Sequence, residues 1–343
     1  MNILIYTGYQ KEPYNSNTLK KKGLGGTEQC CVYLAKYLKK FGWNVVVGGM
    51  VIEDTIDGIQ WLTNQTIHKT MFNKFDVIIG VSYIHFLKEF EKYNCKKIFW
   101  VHNTDYFPWW KGKEIPNHVE LLNSPDLNKI VCLTDWHKNQ WANKYSIDYD
   151  KIKVIGNGIE PDNFKKHIKK QNGKFIWSSA PDRGLVELLN NWKHIKSLLE
   201  HAELHVFAPS YCIELFNKIK HDLKGVYFRG NVNPSKLYDE MSSAEYWIYL
   251  TDYEETFCIT ALEMQMAGVF PITTNVAALN ETVSSGIILK DTETKWNEAI
   301  RIFNNINTNL KNKVINDNIN VAKQKTWLMR SMDWKELIYS IYK

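Results

Sequence analysis

The sequence predicts an α/β fold of two doubly wound, Rossmann-like domains facing across a cleft. Three observations predict it. Short β-branched runs alternate with amphipathic helical windows along the whole chain, and alternating β and α implies parallel sheets with helices on both faces. The 343 residues are enough for two cores of ordinary domain size, and 44% hydrophobic with 13% aromatic content is that of a globular protein. Near the middle, the turn-forming Gly156-Asn157-Gly158 and the polar segment 161–173 mark a boundary.

The first strand is expected at 2–6, in MNILIYTGY, which has no basic leader and no long apolar stretch before it. Strands follow at 44–48, 76–81, 97–102, 129–133 and 151–155, with helices at 27–40 and 136–145. The second half repeats the scheme, with strands at 174–178, 203–207, 225–229, 246–250 and 269–273 and helices near 184–199, 234–242 and 259–267. The domains are therefore expected at 1–157 and 158–326. Ligands of such folds bind at the carboxyl ends of the strands, so the cleft between the domains is the expected site. No run approaches the roughly 18 apolar residues of a membrane span. A cytoplasmic protein is expected, with peripheral contact to a membrane left open.

A net charge of +6, from 43 Lys and Arg against 37 Asp and Glu, is spread without a long basic block. That excess suits an anionic small ligand or a membrane surface and is too diffuse for nucleic acid. Lys20-Lys21-Lys22 reads as a solvated run. The six cysteines, Cys30, Cys31, Cys95, Cys132, Cys212 and Cys258, include no C-x-x-C and sit mostly in apolar runs, as buried free thiols do. The ten histidines show no H-E-x-x-H or similar spacing, so no bound metal is expected.

Gly23-Leu24-Gly25-Gly26-Thr27-Glu28 precedes a helix whose apolar stripe is Cys31, Leu34, Leu38 and Phe41. Glycines there let the backbone approach a ligand, and the N–H groups of a helix start favour anions. An ordinary loop with Thr27 as N-cap reads the same residues equally well. It is not a dinucleotide fingerprint, because about a dozen polar residues separate it from the first strand. Ser178-Ser179-Ala180-Pro181-Asp182-Arg183-Gly184 joins a strand to a helix, where a surface arginine is disfavoured by the positive helix end. Arg183, a planar and permanently charged group at the mouth of the cleft, suits a diphosphate instead.

In Glu255-Thr-Phe-Cys-Ile-Thr-Ala-Leu-Glu263, at about 100° per residue, Glu263 shares one helical arc with Ile259, Leu262 and Met266. A carboxylate placed inward without a partner costs several kcal/mol, so it must have one. Gly268 ends this helix, which cannot start much before Cys258, and Glu255 falls in the preceding loop. Even in a continuous helix the two carboxylates would be about 12 Å apart, too far to act as a pair. The residues Thr256, Phe257, Cys258 and Ile259 offer backbone N–H groups to a second anion.

Glu255-x7-Glu263 with Ala267-Gly268 and Pro271, followed by Asn280-Glu281-Thr282-Val283 and Gly286, resembles the signature of retaining GT-B glycosyltransferases of the family 4 type. Gly25-Gly26-Thr27-Glu28, Val101-His102-Asn103, the 154–160 block with Phe164, and 228–232 agree in order and spacing. The resemblance covers nearly the whole chain. It implies an acceptor-side domain at 1–157, completed by the closing helix within 327–343, and a nucleotide-sugar donor domain at 158–326.

For single residues it implies that Glu263 binds the donor ribose, Glu255 the transferred sugar, and 256–259 the diphosphate. Gly25, Gly26 and Thr27 then form the acceptor-side loop, and His102 faces the donor sugar. Where the family presents an Arg and a Lys at the diphosphate, Arg183 fits the Lys position and Ser178 or Ser179 stands near the other, with Arg229 as the candidate substitute. Cys258 stands where the family commonly has Gly. Asp148-Tyr149-Asp150 matches the D-x-D of metal-dependent transferases of another fold, but its polar helix-to-strand setting reads as a solvated loop. The implied reaction moves a hexose-type sugar from a UDP- or GDP-sugar to a hydroxyl of a glycan, glycoprotein or lipid-linked acceptor, with no cofactor beyond that co-substrate. A nucleotide-sugar 2-epimerase and a non-catalytic nucleotide-sugar binding protein are the rival readings, separated by product analysis.

Overall fold

The apolar run Asn2–Tyr6 forms β1, buried on both faces as the strands of a parallel sheet are. The computed structural model describes all residues except 9, 11, 106–116, 166, 209–222 and 343, so Cys212 lies outside the described residues. The chain divides into one unit of Met1–Gly158 with Trp327–Lys343 and another of Ile159–Thr326.

In the first unit β1 is joined by β2 (Asn44–Gly49), β3 (Asp54–Ile56), β4 (Ile59–Thr63), β5 (Val77–Val81), β6 (Lys96–Trp100), β7 (Lys129–Cys132) and β8 (Ile152–Val154). They form an eight-stranded sheet in the order β3-β4-β2-β1-β5-β6-β7-β8, parallel except for the β3/β4 hairpin. The hairpin turns on Asp57 and Gly58, both at positive φ (52° and 74°), which an Asp-Gly pair accommodates. The strand order reverses between β1 and β5, and their carboxyl ends touch through Gly8, where a Cβ would lie 2.8 Å from the Tyr83 ring.

Two helix starts differ from expectation. Residues read as a polar connection form the helix Ser16–Lys22, closed by an Asn15/Thr18 capping box. The next helix, Gly26–Lys40, starts one residue before the expected 27 and is capped by Gly25, two residues before Thr27. Trp327–Ser340 returns to the first unit and lies along this helix. Trp327 stacks on Tyr33 at 5.7 Å, Tyr339 meets Trp43 at 5.8 Å, and Trp334 meets Trp100 of β6 at 5.0 Å.

The second unit contains β9 (Lys174–Trp177), β10 (Glu203–Val206), β11 (Val226–Phe228), β12 (Tyr246–Tyr249), β13 (Phe270–Thr274) and β14 (Ile287–Leu289). Their order, β11-β10-β9-β12-β13-β14, is fully parallel and reverses between β9 and β12, the dinucleotide-fold arrangement. The helix Ile259–Met266 differs from its expected one-sided burial. Every residue from Ala261 to Met266 is buried, because Thr308–Ala322 covers the face turned away from the sheet.

Charged side chains fill the amino end of this sheet. Lys174, which starts β9, is 3% exposed and gives hydrogen bonds to Glu240 Oε2 (2.6 Å) and Ser243 Oγ (2.7 Å). Glu245, just before β12, accepts from Gly173 N (2.6 Å) and pairs with Lys311. Lys170 donates to Ala244 O and Ala267 O, both at 2.7 Å, the ends of two helices where a cation is favoured.

Candidate active site

Arg183 and Glu255 meet at the carboxyl ends of β9 and β12, where the strand order of the second unit reverses. Pro181–Arg183 is a single 3-10 turn, and Gly184 after it adopts φ 105°, a conformation glycine supplies freely. Arg183 Nη1 reaches Glu255 Oε1 at 3.2 Å, and its guanidinium lies 3.2 Å from the centre of the Tyr253 ring. Its Nε is buried without a hydrogen bond. Burial opposes the Arg183 charge, but Glu255, Tyr253 and Tyr249 outweigh it and hold the group above its ordinary pKa. The Tyr249 hydroxyl donates to the same Glu255 Oε1 at 2.6 Å. Burial, then the neighbouring Cys258 and Glu255, keep that phenol protonated.

The loop from Glu255 to Cys258 is held from behind. Ala278 N donates to Glu255 O at 3.1 Å, and Thr282 Oγ1 bonds Phe257 O and Ala278 O. Gln265 ties Thr282 to the Glu263 helix through Nε2 at 2.9 Å, while its Oε1 accepts from Ser284 N at 3.1 Å. Phe257 and Cys258 are buried, Thr256 and Ile259 half-buried, and Cys258 caps the helix with no side-chain bond. Glu263 is buried, and Tyr238 OH donates to its Oε1 at 3.3 Å, so part of the partner it requires comes from the neighbouring helix Pro234–Ser243.

Ser178 and Ser179 directly follow β9 on the connection that leads to Arg183. Ser178 Oγ is buried beyond β9 with no hydrogen bond, and Ser179 O accepts from Trp177 Nε1 at 2.8 Å. Arg229 follows β11, two strands from β9 or about 10 Å by strand spacing, and lies exposed over Tyr227 at 5.0 Å. Asp148 and Asp150 are exposed in a short 3-10 turn. In the first unit, Gly25, Gly26 and Thr27 stand at the start of Gly26–Lys40, where a Cβ on Gly25 would fall 2.5 Å from Glu28 Oε2.

His102 lies two residues beyond β6 with its ring 4.5 Å from that of Trp100. Burial, and then His137, push its pKa down to about 3, so it is neutral near pH 7. His137 takes Leu133 N on Nδ1 at 3.2 Å and so donates through Nε2 to Asn103 O at 2.9 Å. Trp141 Nε1 reaches the same carbonyl at 3.0 Å, which fixes the turn after His102.

Seven non-glycine residues among those described have positive φ. Asp57, Asn73 and Asn117 tolerate it by residue type, and Ser146 ends a helix. The other three, Ser82, Cys258 and Ala277, all lie in loops that leave the carboxyl ends of parallel strands. Such local strain concentrates where a site demands it.

Comparison with known proteins gives the family and the fold. Residues 59–163 match the family model described as Glycosyltransferase Family 4, and residues 173–305 match that of Glycosyl transferases group 1. The chain belongs to this glycosyltransferase family. Its two parallel-sheet units have the GT-B architecture of the family. A glycosyltransferase of Rickettsia africae superposes with a TM-score of 0.76 at 16% identity, over 100% of this chain and 98% of that one. Anabaena HepE in complex with UDP and glucose gives 0.72 at 15%, over 99% and 100%. Sucrose-phosphate synthase from Thermosynechococcus elongatus gives 0.75 at 11%, over 99% of each chain. No curated protein sequence matches the chain.

Within this glycosyltransferase, sequence reasoning missed Tyr238, Tyr249 and Tyr253, since a tyrosine in an apolar run reads as core. The spacing of Thr282 in its motif was visible, but not its role as the clamp on Phe257. Among the described residues no three His, Cys, Asp or Glu side chains are grouped to hold a metal ion, and no helix is long and apolar enough to cross a membrane.

Proposed function

We propose that this glycosyltransferase moves a hexose-type sugar, with retention at the anomeric carbon, from a nucleotide diphosphate donor to a hydroxyl of a glycan, glycoprotein or lipid-linked acceptor. The observation that carries the reading is the Arg183–Glu255 pair at the strand-order reversal of the second unit, where dinucleotide folds bind their ligands. Arg183 has donors left over for a diphosphate, and the charge that develops on the departing phosphate is met by the guanidinium and by the N–H groups at the start of Ile259–Met266. In this reading the transfer is metal-independent, and Ser178 and Ser179 line the phosphate side.

Glu255 serves the transferred sugar and Glu263 the ribose, with Tyr238 holding Glu263 in place between turnovers. His102, neutral, serves the sugar as a hydrogen-bonding group rather than as an acid. The first unit acts on the acceptor through the loop of Gly25, Gly26 and Thr27, and the second on the donor. UDP is the favoured nucleotide of the donor, since HepE was solved with UDP and with UDP-glucose, with GDP the other candidate. Thermal stabilisation against UDP-, GDP-, ADP- and TDP-sugars tests the reading, because a ligand at 100 times its Kd adds about 2.7 kcal/mol. A melting temperature that moves with none of them refutes it. Proton NMR of the product's anomeric centre tests retention.

A further inference from the structure

Tyr249 occupies the last position of β12, and its hydroxyl is the shorter of two donors on Glu255 Oε1, at 2.6 Å against 3.2 Å for Arg183 Nη1. With both donors on one oxygen, Oε2 has no hydrogen-bond partner among the described residues. The phenol ring is fully buried, stacked on Trp247 at 4.9 Å and tilted against Trp177 at 5.3 Å. Trp177 also bonds Ser179 O, so one aromatic stack fixes both the Tyr249 hydroxyl and the turn that leads to Arg183. A single guanidinium N–H can serve either oxygen of a carboxylate. In this structure both the guanidinium and the Tyr249 hydroxyl use Oε1.

We propose that Tyr249 is a positioning residue for donor recognition, pinning Glu255 by Oε1 so that Oε2 accepts from hydroxyls of the transferred sugar. This deepens the donor reading above and rests on it. A fixed carboxylate oxygen recognises a hydroxyl-bearing sugar, whereas a bare nucleoside diphosphate gives it nothing to accept. Tyr249 therefore acts on the difference between a sugar nucleotide and its nucleotide.

Isothermal titration of the full chain with UDP and UDP-glucose, and with GDP and GDP-mannose, tests this in wild type, Tyr249→Phe, Glu255→Gln and the double variant. In Tyr249→Phe, which keeps the ring stack, affinity for the nucleotide stays at the wild-type value while affinity for the sugar nucleotide falls about tenfold. The donor KM rises more than kcat falls, and the double variant is no weaker than Glu255→Gln. Equal losses for nucleotide and sugar nucleotide, an unchanged sugar nucleotide affinity, or a Glu255→Gln variant that keeps its full preference for the sugar nucleotide would each overturn the proposal alone. A wild type that binds no member of either pair removes the donor reading, and the proposal with it.

Discussion

The two ends of the sheet in the second unit both hold buried or half-buried charge, and they treat it differently. At the amino end Lys174, Lys170, Glu240 and Glu245 each have at least two partners, mostly at 2.6–2.7 Å. At the carboxyl end Arg183 makes one hydrogen bond at 3.2 Å, its Nε has no hydrogen bond and only a 3.6 Å ion pair to the exposed Asp182, and it faces a Glu255 whose Oε2 accepts no hydrogen bond among the described residues. A saturated network has nothing left to offer a ligand and serves the fold. An undersaturated one keeps donors and acceptors in reserve, at a cost in stability that a ligand bound there would offset.

The comparison breaks most visibly if the two ends respond alike to truncation. Arg183→Ala and Glu255→Ala are each expected to lower nucleotide release from an accepted donor by a hundredfold to a thousandfold, roughly 3–4 kcal/mol in transition-state binding, with unfolding midpoints near wild type. Lys174→Ala is expected to do the reverse: about 3 kcal/mol lost in urea unfolding, because it strips one partner from a buried pair, with donor affinity kept in the folded protein. Equal stability losses at the two ends would make the Arg183 pair another piece of scaffold.

Acid titration sharpens the contrast. Burial raises the Glu240 carboxyl, but hydrogen bonds from Lys174 and Lys236 outweigh it and hold the group at about 2, below its ordinary 4.5. Between those values the unfolded chain binds more protons than the native one. The contribution is therefore complete above about pH 4.5 and lost as pH falls towards 2. Unfolding free energies measured from pH 6 to pH 2.5 should show this acid limb in wild type and a shallower one in Lys174→Ala. The smallest effects belong to Cys258, at φ 62°. Cys258→Gly should stay within about 1 kcal/mol of wild type, as relief of backbone strain offsets the lost thiol, whereas Cys258→Val should lose about 2 kcal/mol. A valine variant as stable as wild type would show that the loop carries no strain.

Periodicity located most strands of both sheets to within two residues, because buried parallel strands are unbroken β-branched runs. It overlooked β3 and β4, whose Asp57-Gly58 turn was a readable hairpin signal, and β14, too short to stand out beside its loops. The pairing of Arg183 with Glu255 joins residues 72 positions apart. Only the strand order brings them together, and order is not a local property of the chain. Glu263 was conspicuous as a charge in an apolar helix, but its partner Tyr238 was not, since an aromatic ring in a helix face declares its burial and conceals its hydroxyl. The left-handed backbone at Cys258, φ 62°, was not read from the sequence, where that residue stands at a position the family commonly gives to Gly.

The helix Trp327–Ser340 belongs to the first unit but follows the second in sequence. On the ribosome, at about 5–20 residues per second, residues 1–158 wait on the order of 10–30 s for the segment that covers Tyr33 and Trp43. Trp334 from that segment packs on Trp100, and Trp100 on His102. During synthesis the second unit is therefore complete before His102 of the first has its final support, so the two units reach their finished state in the reverse of their order in the chain.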